Sequence, residues 1–352
     1  MRKYYIDNLR TAIVLSVIVY HVCYIFNGVG VLGGIPNSLS ISFCDSFATF
    51  IYPWFMVLLF IISGMSSAYS LDKKSIKEFI KARTHKLLVP STLGLFVFHF
   101  LTGMINTKMN NADLSCVPIV IRYLIYALSG TGVLWFAQLL WGFSLILCLL
   151  RKVKFLEKYR LNGKKSIYLP VIIIYLSSLI LNMPVITVFR IGIYLASYLI
   201  GYYIFSDEKV EEKIEKTMII SLVISILSAI LYMVKFNFSD YTSSICLQDV
   251  ITNIYAYFAS IFLIGFFKRY FDKTNKALKY LSSASFGLYV LHFTPIVFIG
   301  FVVSLTNLNV YLRYILTLIL GSISTFILYE VIKRIPIYRY LVLGIKKKKA
   351  VV

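Results

Sequence analysis

An arginine and a histidine inside one apolar stretch are the residues best placed to do chemistry in this chain. In DNLRTAIVLSVIVYH (Asp7 to His21), Arg10 and His21 lie eleven positions apart, with Val14 and Val17 between them. At 100° per residue, eleven steps close to within about 20° of three full turns, so a helix carries both on one face, about 16 Å apart along its axis. Asp7, one turn before Arg10, can orient the guanidinium. Two groups so far apart cannot serve the same reacting atom. They suit an extended ligand, with an anionic end at Arg10 and a reactive end at His21. A neutral imidazole is fit to act as general base. The purely structural alternative has Arg10 snorkelling to headgroups and His21 bonding a neighbouring helix.

Other apolar stretches hold polar groups at a similar depth. A charge at mid-bilayer costs at least about 2.5–3.5 kcal/mol, so each needs a reason. His292 lies about a dozen residues into a late stretch, His99 as far into an early one, and Arg190 about five residues into another. At about 1.5 Å rise per residue these fall within roughly one turn of the level of His21. Pro295 leaves the Leu291 carbonyl without its helical donor and predicts a kink beside His292. His99, set among Phe96, Phe98 and Phe100, reads as a packing residue. Lys81, Arg83, His85 and Lys86 form a cradle for phosphate groups or a flank that touches lipid headgroups. Ser63, Gly64, Ser66 and Ser67 are small enough for close helix approach.

The elements that must position these groups follow from composition. The chain has 352 residues, 59% of them hydrophobic and 14% charged. That excludes an ordinary soluble domain. Ten stretches are long and apolar enough to span a bilayer: 8–29, 47–70, 87–106, 132–150, 167–183, 185–205, 217–236, 249–267, 281–303 and 309–330. The segment 117–128 is too short to span with Arg122 in it, and is expected at the outer surface. The first stretch follows a basic start but carries Arg10 and His21 and no A-x-A-like site, so it reads as a retained span and not a signal peptide.

The formal charge of +21 is accounted for by topology. With the N-terminus in the cytoplasm, 31 of the 36 Lys and Arg fall on the cytoplasmic side. Four (Lys108, Arg122, Lys235 and Arg313) fall outside, and Arg190 lies within a span. That asymmetry predicts an all-α polytopic protein of the plasma membrane with both termini cytoplasmic. Nucleic acid is not expected as a partner. A single transmembrane domain over 1–340 is expected, followed by a basic tail over 341–352. Cys44, Cys116 and Cys246 fall on the outer side, where a disulfide is permitted but cannot be assigned, and no metal site is expected.

The segment Asp7–His21 resembles the first helix of the membrane acyltransferase-3 family, whose signature is Arg-x10-His in a D-x-L-R context. Later segments agree in order. LLFIISGM (Leu58–Met65) is similar to the family's second helix, and FIKARTHKLLVP (Phe79–Pro90) to its basic R-x-x-R approach to the third. LWF (Leu134–Phe136), YLIGYY (Tyr198–Tyr203), SFGLYVLHF (Ser285–Phe293) and the ending Glu330–Gly344 resemble later markers. Lys86 replaces the usual arginine, keeping the charge and losing the bidentate fork. Val133 stands where many members have histidine, and no extracytoplasmic domain is expected after the last span.

The resemblance implies transfer of a short acyl group, usually acetyl, from acyl-CoA to a hydroxyl of an envelope carbohydrate. On it, Arg10, Arg83 and Lys86 would hold the donor, with no permanently bound cofactor. His21 would be general base or the site of a transient acyl-histidine. Arg190 would stabilise an oxyanion or hold the acceptor, and Trp135 would stack on a sugar or anchor at the interface. Asp7, Ser63, Gly64 and His292 would support them. A homo-oligomer or a separate extracytoplasmic partner is neither required nor excluded. The rival reading is a transporter or flippase for a lipid-linked sugar.

Overall fold

The computed structural model describes residues 3–29, 40–110, 112–181 and 190–346, and among them it is helical with no β-sheet. In chain order the main helices are α1 (Tyr4–Ile25), α2 (Ser42–Leu71), α3 (Ile76–Met109), α4 (Ile119–Ser129), α5 (Gly132–Leu150), α6 (Pro170–Ser178), α7 (Ile191–Phe205), α8 (Met218–Phe236), α9 (Val250–Phe271), α10 (Lys276–Leu291), α11 (Phe293–Ser304), α12 (Val310–Arg334) and α13 (Pro336–Leu343). Seven of these, α1, α2, α3, α5, α8, α9 and α12, are long and apolar enough to cross a membrane. The pair α10 and α11 makes an eighth if taken together, bent by 53° at His292. This is the kink expected from Pro295. The stretches 167–183 and 185–205 differ from expectation: α6 has nine residues and α7 has fifteen, both short of a straight crossing. Residues 182–189, between them, lie outside the described residues.

α2 is the most enclosed helix, packed between α1, α7 and α9. α10 and α11 lie on the other side of α1, and α3 packs on α11 and α13. α8 and α12 present most of their apolar side chains outward, as lipid-facing helices do. α4 lies along the second half of α3 with Ile119, Val120 and Leu128 exposed, in keeping with a short surface segment. α13 carries the buried Val342 and Leu343 at the start of the expected 341–352 tail, of which residues 347–352 lie outside the described residues.

α3 is not a regular α-helix throughout. Pro90 has no N–H to return to the preceding turn, and a π-helical turn, Thr84–Leu88, comes just before it. A second such turn spans Leu95–His99. The first turn carries Lys86 and follows directly on Arg83.

α2 and α7 touch backbone to backbone. A Cβ on Gly64 would come within 2.0 Å of the Tyr198 carbonyl oxygen, and one on Gly201 within 2.0 Å of the Ile61 carbonyl oxygen. The close approach expected of the Ser63–Ser67 segment is therefore found at Gly64. Neither backbone can yield without moving a helix. Gly64→Ala should destabilise the fold by about 3 kcal/mol, the upper end of the overpacking range. Its thermal midpoint in detergent, followed by size-exclusion profile, should fall well below that of the parent.

Candidate active site

α1 runs past two cavities, and the stripe read from its sequence faces both in turn. Arg10 and Val14 line the first cavity; Val17 and His21 line the second. The first, of about 290 Å³, lies toward the end of the bundle rich in Lys and Arg, here the basic end. Arg10, Lys74, Arg83 and Lys86 line it, with hydroxyls from Ser63, Ser66, Ser70, Ser282 and Ser285. Arg10 donates to Asp7 Oδ1 at 3.3 Å and to Ser66 Oγ at 2.7 Å, so its fork is fixed from two helices. Arg83 donates to Ser67 Oγ at 2.7 Å and lies 5.1 Å from the Phe79 ring centroid. Lys86 sits 5.6 Å from the centroid of Phe286. Among the described residues, Arg83 and Lys86 have no carboxylate at ion-pair distance. Four cations around so small a space, with Asp7 the one acid paired to any of them among the described residues, make a site for a polyanion.

The second cavity, of about 560 Å³, has the opposite character. Its wall is rich in aromatic side chains, with Tyr20, Tyr24, Tyr52, Phe55, Trp135, Tyr194 and Phe293. Asn106, Asn110, Thr107 and Ser129 add uncharged polar groups. Among the described residues no acid, lysine or arginine lines it. Trp135 stacks on Tyr194 at 5.5 Å, and Phe60 stacks on the same ring at 4.9 Å. Such a wall suits an uncharged ligand with hydroxyl groups and apolar faces.

His21 projects into the aromatic cavity and meets a second histidine. His292 Nε2 lies 3.1 Å from His21 Nδ1, and the bend between α10 and α11 brings it there. The hydrogen-bond partners fix the proton positions. His292 Nδ1 lies 2.7 Å from the Tyr289 carbonyl, which can only accept, so Nδ1 donates. In a neutral ring His292 Nε2 is then an acceptor. His21 Nδ1 faces that acceptor and also the Val17 carbonyl at 2.8 Å. Both partners accept, so His21 carries its proton on Nδ1 and its lone pair on Nε2. The ring is held by edge contacts with Tyr20 at 5.1 Å and Phe293 at 5.2 Å. The result is a fixed imidazole with its basic nitrogen left for the cavity, the arrangement a general base needs.

Residues 3–332 match the family model for the acyltransferase-3 domain, described as an acyltransferase domain. The chain belongs to the membrane acyltransferase-3 family. No curated protein and no solved structure is detectably similar to it. Its Arg-x10-His pair in this acyltransferase-3 chain is thus divided between two chemically distinct chambers, one residue in each.

The remaining residues singled out from sequence fall into place around this acyltransferase-3 site. Arg190 lines neither cavity. It is buried, one helical turn before Tyr194 of the aromatic wall, and its Nη2 donates to the Leu247 carbonyl at 2.9 Å. His99 lines neither cavity; it is buried in α3, its backbone carbonyl against Gly130 at the end of α4. Trp135 lines the aromatic chamber, while the Trp141 indole donates to Thr84 Oγ1 at 3.1 Å and belongs to packing. The five cysteines are all thiols, with Cys44 and Cys246 buried. Sequence reasoning missed Tyr20, Tyr24, Tyr52, Tyr194 and Tyr289, because the chain has 27 tyrosines and nothing marks the first four. Tyr289 alone carried a usable signal: it lies three residues before His292, on the same helical face.

Proposed function

We propose that this protein moves a short acyl group, acetyl foremost, from acyl-CoA to a hydroxyl of an envelope carbohydrate. The observation that carries the reading is the pair of abutting chambers, one cationic and one aromatic and uncharged, joined along α1 by Arg10, Val14, Val17 and His21. A phosphorylated donor fits the cationic chamber and a sugar fits the aromatic one. The basic end is cytoplasmic, the chain makes ten passages of the plasma membrane, and both termini lie in the cytoplasm.

In this mechanism Arg10, Arg83, Lys86 and Lys74 hold the phosphates of the donor, and its thioester reaches toward His21. The acceptor oxygen attacks the thioester carbonyl carbon as His21 Nε2 takes the hydroxyl proton. The carbon–sulfur bond breaks, and the imidazolium returns that proton to the departing thiolate. His292 accepts from His21 Nδ1 and holds the ring in the productive tautomer. Arg190 places a fixed positive charge one turn from Tyr194, whose hydroxyl donates toward the acceptor or the developing oxyanion. The same Nε2 could instead take the acyl group itself. A quenched single turnover without acceptor separates the routes, since only the second leaves label on the protein.

The transporter reading calls for one path from side to side. The closed contact between the chambers and the paired histidines favour the enzyme. The test is incubation of purified protein with acyl-labelled acetyl-CoA and extracted envelope glycans. Label is expected in the glycan fraction. Absence of both transfer and hydrolysis with any donor and acceptor would overturn the reading.

A further inference from the structure

The two chambers meet at one side chain. Among the described residues, only Tyr289 lines both. It is 4% exposed, and its hydroxyl donates to the Val133 carbonyl on α5. Its ring lies edge-on to Phe136 at 5.5 Å, and Phe136 faces the cationic chamber while Val133 faces the aromatic one. Val14 and Leu59 add apolar lining on the cationic side. The barrier between donor and acceptor spaces is thus about one phenol thick.

We propose that Tyr289 is a movable partition that admits the thin, uncharged thioester arm of the donor and sets the length of acyl group this chain transfers. The inference rests on the acyltransferase reading above and adds a specificity-determining residue to it.

Three features make Tyr289 fit for this. Its side chain is tied to α5 by a single neutral hydrogen bond, whose net worth is small, so an incoming arm can displace it. Its backbone carbonyl, by contrast, holds His292 Nδ1, so the side chain can swing while the carbonyl stays and the histidine pair keeps its proton arrangement. Closed, the ring separates the thioester from water in the larger chamber. Hydrolysis there would join a water oxygen to the carbonyl carbon, break the carbon–sulfur bond and release a free acid and a thiol. Open, it leaves between the chambers a passage the size of a phenol, bounded by Val133 and Phe136, through which a short acyl chain reaches His21.

The experiment measures transfer from acetyl-CoA and butyryl-CoA, and hydrolysis of each without acceptor, for the parent, Tyr289→Phe and Tyr289→Ala. In Tyr289→Ala the butyryl-to-acetyl ratio is expected to rise at least about 10-fold, with acceptor-independent hydrolysis rising comparably. Tyr289→Phe keeps the ring and loses the tie to Val133, so hydrolysis should rise about 2- to 10-fold with the acyl preference unchanged. A parent-like ratio and parent-like hydrolysis in Tyr289→Ala overturn the proposal. If Tyr289→Ala does not fold, parent-like hydrolysis in Tyr289→Phe overturns it. A parent protein inert toward every donor removes the acyltransferase reading and this inference with it. A parent that transfers acyl groups while both variants behave like it removes this inference alone.

Discussion

His21→Ala is expected to lower kcat for acyl transfer by about 10²- to 10⁴-fold, the range a positioned general base contributes. The loss should appear in kcat with little change in KM for the donor, because the donor's charged end is held about 16 Å away by the Arg10 chamber. The protein should remain folded, since His21 is only partly buried and faces a cavity, so its truncation enlarges an existing space. His292→Ala should cost less, about 10- to 100-fold. It removes the acceptor that, with the Val17 carbonyl, holds the proton on His21 Nδ1, but not the base itself. Steady-state rates with labelled acetyl-CoA check both. Equal label transfer by the parent and His21→Ala would remove His21 from the mechanism.

The second large effect is expected at Arg10. Arg10→Ala removes a fixed, charge-assisted phosphate contact of about 1.5–3 kcal/mol, or about 10- to 100-fold in KM for acyl-CoA. Here kcat at saturating donor should change far less than KM. Arg10→Lys keeps the charge without the fork that reaches Asp7 and Ser66 together, and should fall between the two. Initial rates against donor concentration at fixed acceptor give the split. A loss confined to kcat would count against a donor-holding role for Arg10.

Both predictions begin from residues legible in the sequence, and the reason is local. Arg10, Val14, Val17 and His21 share a face because a helix has a fixed pitch, and no tertiary packing can undo that. The break at His292 was legible for a similar reason, since Pro295 cannot donate. The 3.1 Å contact between His292 and His21 was not, because 271 positions separate them and only packing decides whether equal depth becomes contact. Arg190 shows the opposite outcome: depth along a helix does not tell which way a side chain turns, and the structure turns this one to the Leu247 carbonyl, outside the cavity lining. Ser66 and Ser67 read as packing residues, yet their hydroxyls hold Arg10 and Arg83. Hydroxyl partners have no spacing rule that would reveal them. Among the helices, the ends of α6 and α7 were not legible, because apolarity does not report where a helix stops.

The unbroken course of α1 between Arg10 and His21 makes that segment a gauge block with almost no tolerance for insertion or deletion. Deleting one residue between them turns His21 by 100° relative to Arg10 and shortens the gap by about 1.5 Å, taking the imidazole out of its chamber. A three-residue deletion leaves about 60° of error, and even four leave about 40° with some 6 Å of length lost. Substitutions at Val14 or Val17 alter only the lining, whereas any change of length there changes which chamber the histidine enters.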